Sequence, residues 1–119
     1  MISVELAREL KEAGLVWKPE EGDRYYWRGN YRTFNASVLA CDTRIVKSEP
    51  ENCIWIPRAD QLLATIEEHG LDYRLTASKA ITGDSWLYEI RIEEVCYAGK
   101  IREETIAIAL LWTIEHRYV

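Results

Sequence analysis

The stretch Arg24-Tyr25-Tyr26-Trp27-Arg28-Gly29-Asn30-Tyr31-Arg32-Thr33-Phe34 decides the architecture. Two runs rich in aromatic residues flank Gly29-Asn30, and such a pair between strand-forming runs reads as a two-residue β-hairpin loop of type II′ or I′. With that loop, Arg28 faces Tyr31, Trp27 faces Arg32, Tyr26 faces Thr33 and Tyr25 faces Phe34. Opposed residues share a sheet face. One face then carries Tyr25, Trp27, Phe34 and the stem of Arg32, which suits a core. The other carries Arg24, Tyr26, Arg28, Tyr31 and Thr33, which suits solvent.

Upstream of the hairpin, Ser3 is placed to N-cap a helix with Leu6, Ala7, Leu10 and Ala13 at helical spacing and Gly14 just past its end. Lys18-Pro19 and Glu20-Glu21-Gly22-Asp23 mark a turn. Downstream, Ser37 to Cys41 reads as a short strand and the polar stretch Asp42 to Asn52 as a loop. Cys53-Ile54-Trp55-Ile56 has the character of a short buried strand, and Pro57 opens a second helix. In that helix Ala59, Leu62, Leu63 and Ile66 form one apolar face, and Gly70 ends it.

Leu71, Tyr73, Leu75 and Ala77 then alternate with polar residues, as do Trp86, Tyr88, Ile90 and Ile92 after a turn at Thr82-Gly83-Asp84. This is the pattern of two half-buried strands in a meander, with Val95 to Ala98 extending the second or forming a third. A last helix spans Ile101 to Arg117, acidic at its start and basic at its end as the macrodipole favours. Its run Ile106 to Trp112 is apolar on nearly every face, so it is a core helix, or a core helix with a dimer face. The expected fold is a single α+β domain over residues 1–119. In it an antiparallel hairpin and meander are packed by three helices, the long apolar C-terminal one included. Trp27, Trp55, Leu63, Ile90, Leu110 and Leu111 are the expected core, with Trp86 and Trp112 as further aromatic anchors.

A chain of 119 residues can support a core without metals or disulfides. The longest apolar run is far short of the roughly 18 residues a membrane span needs. The N-terminal segment carries Glu5, Arg8, Glu9, Lys11 and Glu12, which no secretory signal peptide does. A cytoplasmic protein with no membrane partner is the expectation. The net charge of −5 is uneven: residues 1–47 carry +1 and residues 48–119 carry −6. That acidic second half disfavours broad binding of phosphates, which needs clustered cations.

Three cysteines, Cys41, Cys53 and Cys96, and two histidines, His69 and His116, offer no zinc-type spacing. Phosphate-loop, dinucleotide, zincin and nucleophile-elbow motifs are absent. The acidic pairs Glu67/Glu68, Glu93/Glu94 and Glu103/Glu104 are sequence neighbours, which do not face each other on a helix or strand. The reading is therefore of a protein that is not an enzyme and carries neither cofactor nor metal. Five Trp and seven Tyr stand above background. Tyr26 and Tyr31, placed outward beside Arg24 and Arg28, have the composition of a protein interface or of a stacking platform for single-stranded nucleic acid, though an ordinary edge hairpin would carry it too. Arg24, Tyr26, Arg28 and Tyr31 are the candidate binding residues. An unidentified protein is the favoured partner and nucleic acid the alternative. A homodimer is a further expectation, through the second face of the last helix or an open sheet edge.

Three blocks of the chain carry a resemblance. They are Leu6-Ala7-Arg8-Glu9-Leu10-Lys11-Glu12-Ala13-Gly14-Leu15-Val16-Trp17-Lys18-Pro19 with Glu21-Gly22-Asp23, then Ile54-Trp55-Ile56-Pro57-Arg58-Ala59-Asp60-Gln61-Leu62-Leu63, and the terminal Ala109-Leu110-Leu111-Trp112. Together they resemble small uncharacterised proteins of bacterial phages and prophages. The resemblance implies a small phage-type cytoplasmic protein and brings no activity with it. The chain departs from that pattern before its last helix, where the expected threonine or aspartate cap is missing.

Overall fold

In a computed structural model, which describes residues 1–79 and 85–117, the hairpin turns one step earlier than its glycine-asparagine pair suggests. Strands β1 (Arg24–Trp27) and β2 (Asn30–Thr33) pair with Trp27 opposite Asn30, Tyr26 opposite Tyr31, Tyr25 opposite Arg32 and Arg24 opposite Thr33. The loop is thus Arg28-Gly29, with φ of 47° and 83°, the two positive angles a type I′ turn demands. Gly29 takes the second position at little cost, and the Asn30 amide donates to the Arg28 carbonyl at 3.4 Å. Because the register moved by two residues, every side chain of the paired strands kept its face, while Arg28 passed into the turn. The pairing runs on past the strands, with Phe34 N–H donating to Asp23 C=O at 2.7 Å and Gly22 N–H to Phe34 C=O at 2.9 Å.

The described residues group into two compact units, Ser3–Pro57 and Met1–Ile2 with those from Arg58 onward. The first holds helix α1 (Val4–Glu12), the hairpin, helix α2 (Cys41–Ser48), a 3₁₀ turn (Pro50–Asn52) and strand β3 (Cys53–Ile56). The Ser3 hydroxyl accepts from Leu6 N–H at 3.2 Å and starts α1, and Gly14 at φ 110° follows its end. Strand β3 adds antiparallel to β1, giving the sheet order β2-β1-β3. Tyr25, Phe34, Ile45 and Cys53 are buried together, with Trp17, Trp27 and Val46 packed against them. Trp17 closes an aromatic group, its ring 5.3 Å from Tyr25 and 5.8 Å edge-on to Phe34. Lys11 reaches from α1 and donates to the carbonyls of Pro50, Glu51 and Cys53 at 2.9, 3.0 and 2.7 Å. All three ammonium protons are thereby used to hold the 3₁₀ turn and the start of β3.

Two expectations fail in this unit. Asp42 to Asn52 is no loop but α2 and the 3₁₀ turn, so the described residues hold four α-helices rather than three. Its eight residues bury only Asp42 and Ile45, too few positions to show a period. Ser37 to Cys41 is no strand; Ala40 N–H returns to Ser37 C=O at 3.0 Å and the segment turns into α2.

The second unit contains α3 (Ala59–Glu68), the meander β4 (Tyr73–Lys79), β5 (Trp86–Ile92) and β6 (Val95–Gly99), and α4 (Arg102–Arg117). The expected turn at Thr82-Gly83-Asp84 lies outside the described residues. Helix α3 starts two residues beyond Pro57, where Gln61 Oε1 accepts from Arg58 N–H at 2.9 Å. Gly70, at φ 69°, ends it. Strand β6 forms as a third strand, and the order is β4-β5-β6. Helix α4 packs against β5 and β6 on one side and α3 on another, which accounts for its nearly continuous apolar run. Ile106, Ala107, Ala109, Leu110 and Leu111 are all buried there, with Ile90 and Ile92 of β5 and Leu62 and Ile66 of α3. Buried Thr65, Thr105 and Thr113 each donate the hydroxyl to the carbonyl four residues back, so no unpaired polar group results. Trp86 and Trp112 are not the core anchors expected, being 48% and 50% exposed. Trp27, Trp55 and Leu63 are half-buried.

Gly99 is required by a close approach. A Cβ there would lie 2.6 Å from the Thr105 hydroxyl oxygen of α4 but 3.7 Å from the Thr105 Cβ. Gly99→Ala should cost about 1–3 kcal/mol, and the loss should shrink when Thr105→Ala is added. A double-mutant cycle in urea measures that coupling. Leu110→Ala, at a side chain 1% exposed, should cost about 2–5 kcal/mol in the same assay through lost burial and a cavity.

Candidate binding surface of the hairpin unit

The four residues singled out on the hairpin do not stay together. Tyr26 and Tyr31 are directly opposed, with rings 5.2 Å apart and edge-to-face; Tyr26 is half-buried and Tyr31 is 54% exposed. Arg24 shares their face by register, opposite Thr33. Arg28, in the turn, leans the other way: its guanidinium lies 4.9 Å above the Trp27 ring and bonds the Glu49 carboxylate at 2.7 Å. That guanidinium and an amide N–H of Asn52 hold the Glu49 carboxyl below its usual range.

On the opposite face stands a buried polar group that the sequence reading missed. Asp42, 6% exposed, accepts from the Tyr25 hydroxyl, from Arg32 Nε at 3.0 Å and from Asn35 N–H at 3.1 Å. Arg32 Nε also reaches the Tyr25 oxygen at 3.1 Å. Burial alone would raise the Asp42 pKa, but the hydrogen bonds from Tyr25, Arg32 and Asn35 outweigh it and hold the carboxyl below its usual range. Burial, then the adjoining carboxylate, pushes Tyr25 up to about 12. The signal in sequence was slight: an aspartate in the second position of a helix too short to be recognised.

The segment after β2 is an ordered turn with an apolar tip. Asn35 Oδ1 accepts from Ser37 N–H at 3.0 Å, Ser37 Oγ from Leu39 N–H at 3.3 Å, and the Thr43 hydroxyl donates to Ser37 C=O at 3.0 Å. Between these ties Val38 is 82% and Leu39 is 89% exposed. Residues of α1, α2 and β3 border a mainly apolar pocket of about 250 Å³ lined by Leu15, Val16, Trp17, Val46, Pro50 and Trp55 among others. Lys11 borders it with its protons already committed to carbonyls.

His69 and His116 turn Nδ1 onto the carbonyls of Thr65 and Trp112, at 2.8 Å each, and neither belongs to the hairpin unit. Cys41 is exposed, with Arg32 Nη2 3.8 Å from its sulfur, while burial raises the Cys53 thiol. Among the described residues no group of three His, Cys, Asp or Glu could hold a metal ion, and no helix is long and apolar enough to cross a membrane. No family model, curated protein or solved structure matches the chain.

The Asp42 group dictates a pH dependence. Its folded-state pKa lies below the unfolded one, so its stabilisation is complete above the ordinary carboxylate range and is lost as pH falls through the folded value. Tyr25 acts at the other end: stability should decline as pH rises from about 10 toward about 12, where the unfolded chain ionises first. Asp42→Ala should cost roughly 1–3 kcal/mol at neutral pH and flatten the acid limb of a urea-derived stability curve.

Proposed function

We propose that this chain is a non-enzymatic protein-interaction module, cytoplasmic and phage-like as its resemblance implies, and that it docks through Tyr31 and the Val38-Leu39 turn. The observation that carries the reading is the display of Val38 and Leu39, 82% and 89% exposed, on a turn fixed by three hydrogen bonds. Apolar side chains held out by ordered backbone lose little entropy on docking, which is how interface anchors work.

The alternative is a nucleic-acid module using Arg24, Tyr26, Arg28 and Tyr31. Tyr31 could stack a base, and its T-shaped contact with Tyr26 would hold the ring in place. Charge weighs against it. Arg28 is paired with Glu49 and Arg32 with Asp42, so two hairpin arginines are already neutralised by carboxylates. Phosphate binding would have to break these pairs.

The two readings separate in one experiment. Tyr31→Ala with Leu39→Ser should weaken capture of a protein partner by about tenfold or more, while urea stability changes by less than about 1 kcal/mol. A fluorescent single-stranded oligonucleotide should show no binding at physiological salt. Tight oligonucleotide binding that falls steeply with salt and is lost in Arg24→Ala would replace the protein reading with the nucleic-acid one.

A further inference from the structure

Strand β6 is an open edge of its sheet, paired only with β5 among the described strands. A two-residue connection, Glu93-Glu94, joins the two strands, with Ile92 opposite Val95. In such hairpins the closing pair exchanges both ladder bonds, and bonded and non-bonded pairs alternate from there. Val95, Tyr97 and Gly99 therefore direct their backbone groups to β5. Cys96 and Ala98 direct theirs outward.

Natural edges are guarded by charge, proline or bulges. Val95-Cys96-Tyr97-Ala98-Gly99 has none of these, and Cys96, Tyr97 and Ala98 are exposed. Charge stands only at the ends. Glu94 and Lys100, of opposite sign, each lie three residues from Tyr97, and neither forms an ion pair among the described residues. Beside the edge, Val95, Tyr97, Ile108, Ala109 and Trp112, with Glu94 and Cys96 at its border, line a mainly apolar hollow of about 360 Å³. Tyr97 is 37% and Trp112 50% exposed there.

From this arrangement we infer that the edge is occupied by a second copy of the chain, antiparallel about a two-fold axis at Tyr97. That register sets Cys96 opposite Ala98 of the second copy, so the outward backbone groups bond each other. It also sets Glu94 opposite Lys100 at both ends, and no other antiparallel self-pairing does so. The two Tyr97 rings meet on the α4 side and cover the hollows beside Trp112. The product is a six-stranded sheet with no free β6 edge. This interface uses a different surface from the docking turn of the hairpin unit.

Sedimentation equilibrium at high micromolar concentration tests it. The wild-type chain should run at twice its 13.9 kDa. Tyr97→Arg, which opposes two cations on the axis, should run as a monomer with an unchanged circular-dichroism spectrum. Glu94→Lys should weaken the dimer, and adding Lys100→Glu should restore it, since the charges again match. Ala98→Pro removes an outward N–H without touching the β5 ladder and should also give monomers. A wild-type chain that stays monomeric overturns the inference. So does a dimer indifferent to Tyr97→Arg, or a charge reversal that the second substitution does not rescue.

Discussion

Asp42 carries a carboxylate into the interior of the hairpin unit, and three donors from three segments converge on it: the Tyr25 hydroxyl of β1, Arg32 Nε of β2 and the Asn35 N–H of the following turn. A buried charge without partners would cost several kcal/mol. The same charge with three donors becomes a constraint, because each donor must be where it is for the cost to be offset. Tyr25 and Arg32 are directly opposed in the register, so the carboxylate reads whether the hairpin is paired correctly. A slip by one residue would turn one of the two side chains to the other face and leave the charge unmet. The turn at Arg28-Gly29, which needs a positive φ at an arginine, is tolerated within this arrangement.

The rest of that unit follows from the same point. Asp42 sits in the first turn of α2, where a negative charge also suits the helix dipole. Holding that end of α2 on the sheet brings Ile45 and Val46 over Tyr25, Phe34 and Cys53. Lys11 secures the far end of the segment by donating to the carbonyls of Pro50, Glu51 and Cys53, the first of which also accepts from Cys53 N–H. A second aspartate, Asp23, 2% exposed, performs a related task beside β1 by accepting from Trp17 Nε1 and Glu20 N–H at 3.0 Å each. Polar groups rather than apolar bulk specify this small core.

That difference explains what was legible in the sequence. Elements marked by period or punctuation were read correctly: α1 from Ser3 and Gly14, β3 from its apolar run, α3 from Leu62 and Ile66, and β4 and β5 from alternation. The face assignment of the paired strands was legible too, since it depends only on parity, but not that of Arg28, which lies in the turn and leans over Trp27. The register was not, because Arg28-Gly29 and Gly29-Asn30 are both competent turns, and what separates them is Asp42, a residue distant in sequence. Helix α2 was hidden because a helix of two turns on a polar anchor has no apolar period to detect. Trp86 and Trp112 misled for a converse reason: an aromatic residue on an apolar face signals burial only if a neighbouring element reaches it. Of the four candidate binding residues, Tyr26 and Tyr31 were paired by the fold, whereas Arg28 was drawn to Glu49.

The disposition of charge also bears on what the molecule can bind. A net charge of −5 is spread over a surface on which Arg28, Arg32 and Arg58 are matched to Glu49, Asp42 and Asp60. These three of the fifteen Lys and Arg side chains are thus engaged by carboxylates, two of them on the hairpin. Among the exposed large hydrophobic side chains are Val38, Leu39 and Tyr31 in the first unit and Tyr97 and Trp112 in the second. These residues differ from scattered surface hydrophobes in their support. Hydrogen bonds fix the turn beneath Val38 and Leu39, a ladder to β5 fixes Tyr97, and Trp112 is stacked on His116 at 3.3 Å. Side chains already ordered in the free protein lose less entropy when they are covered, and association through them needs no long-range electrostatic attraction. Under the proposed protein-interaction reading, and for the β6 pairing inferred above, association should therefore depend weakly on salt and strongly on shape.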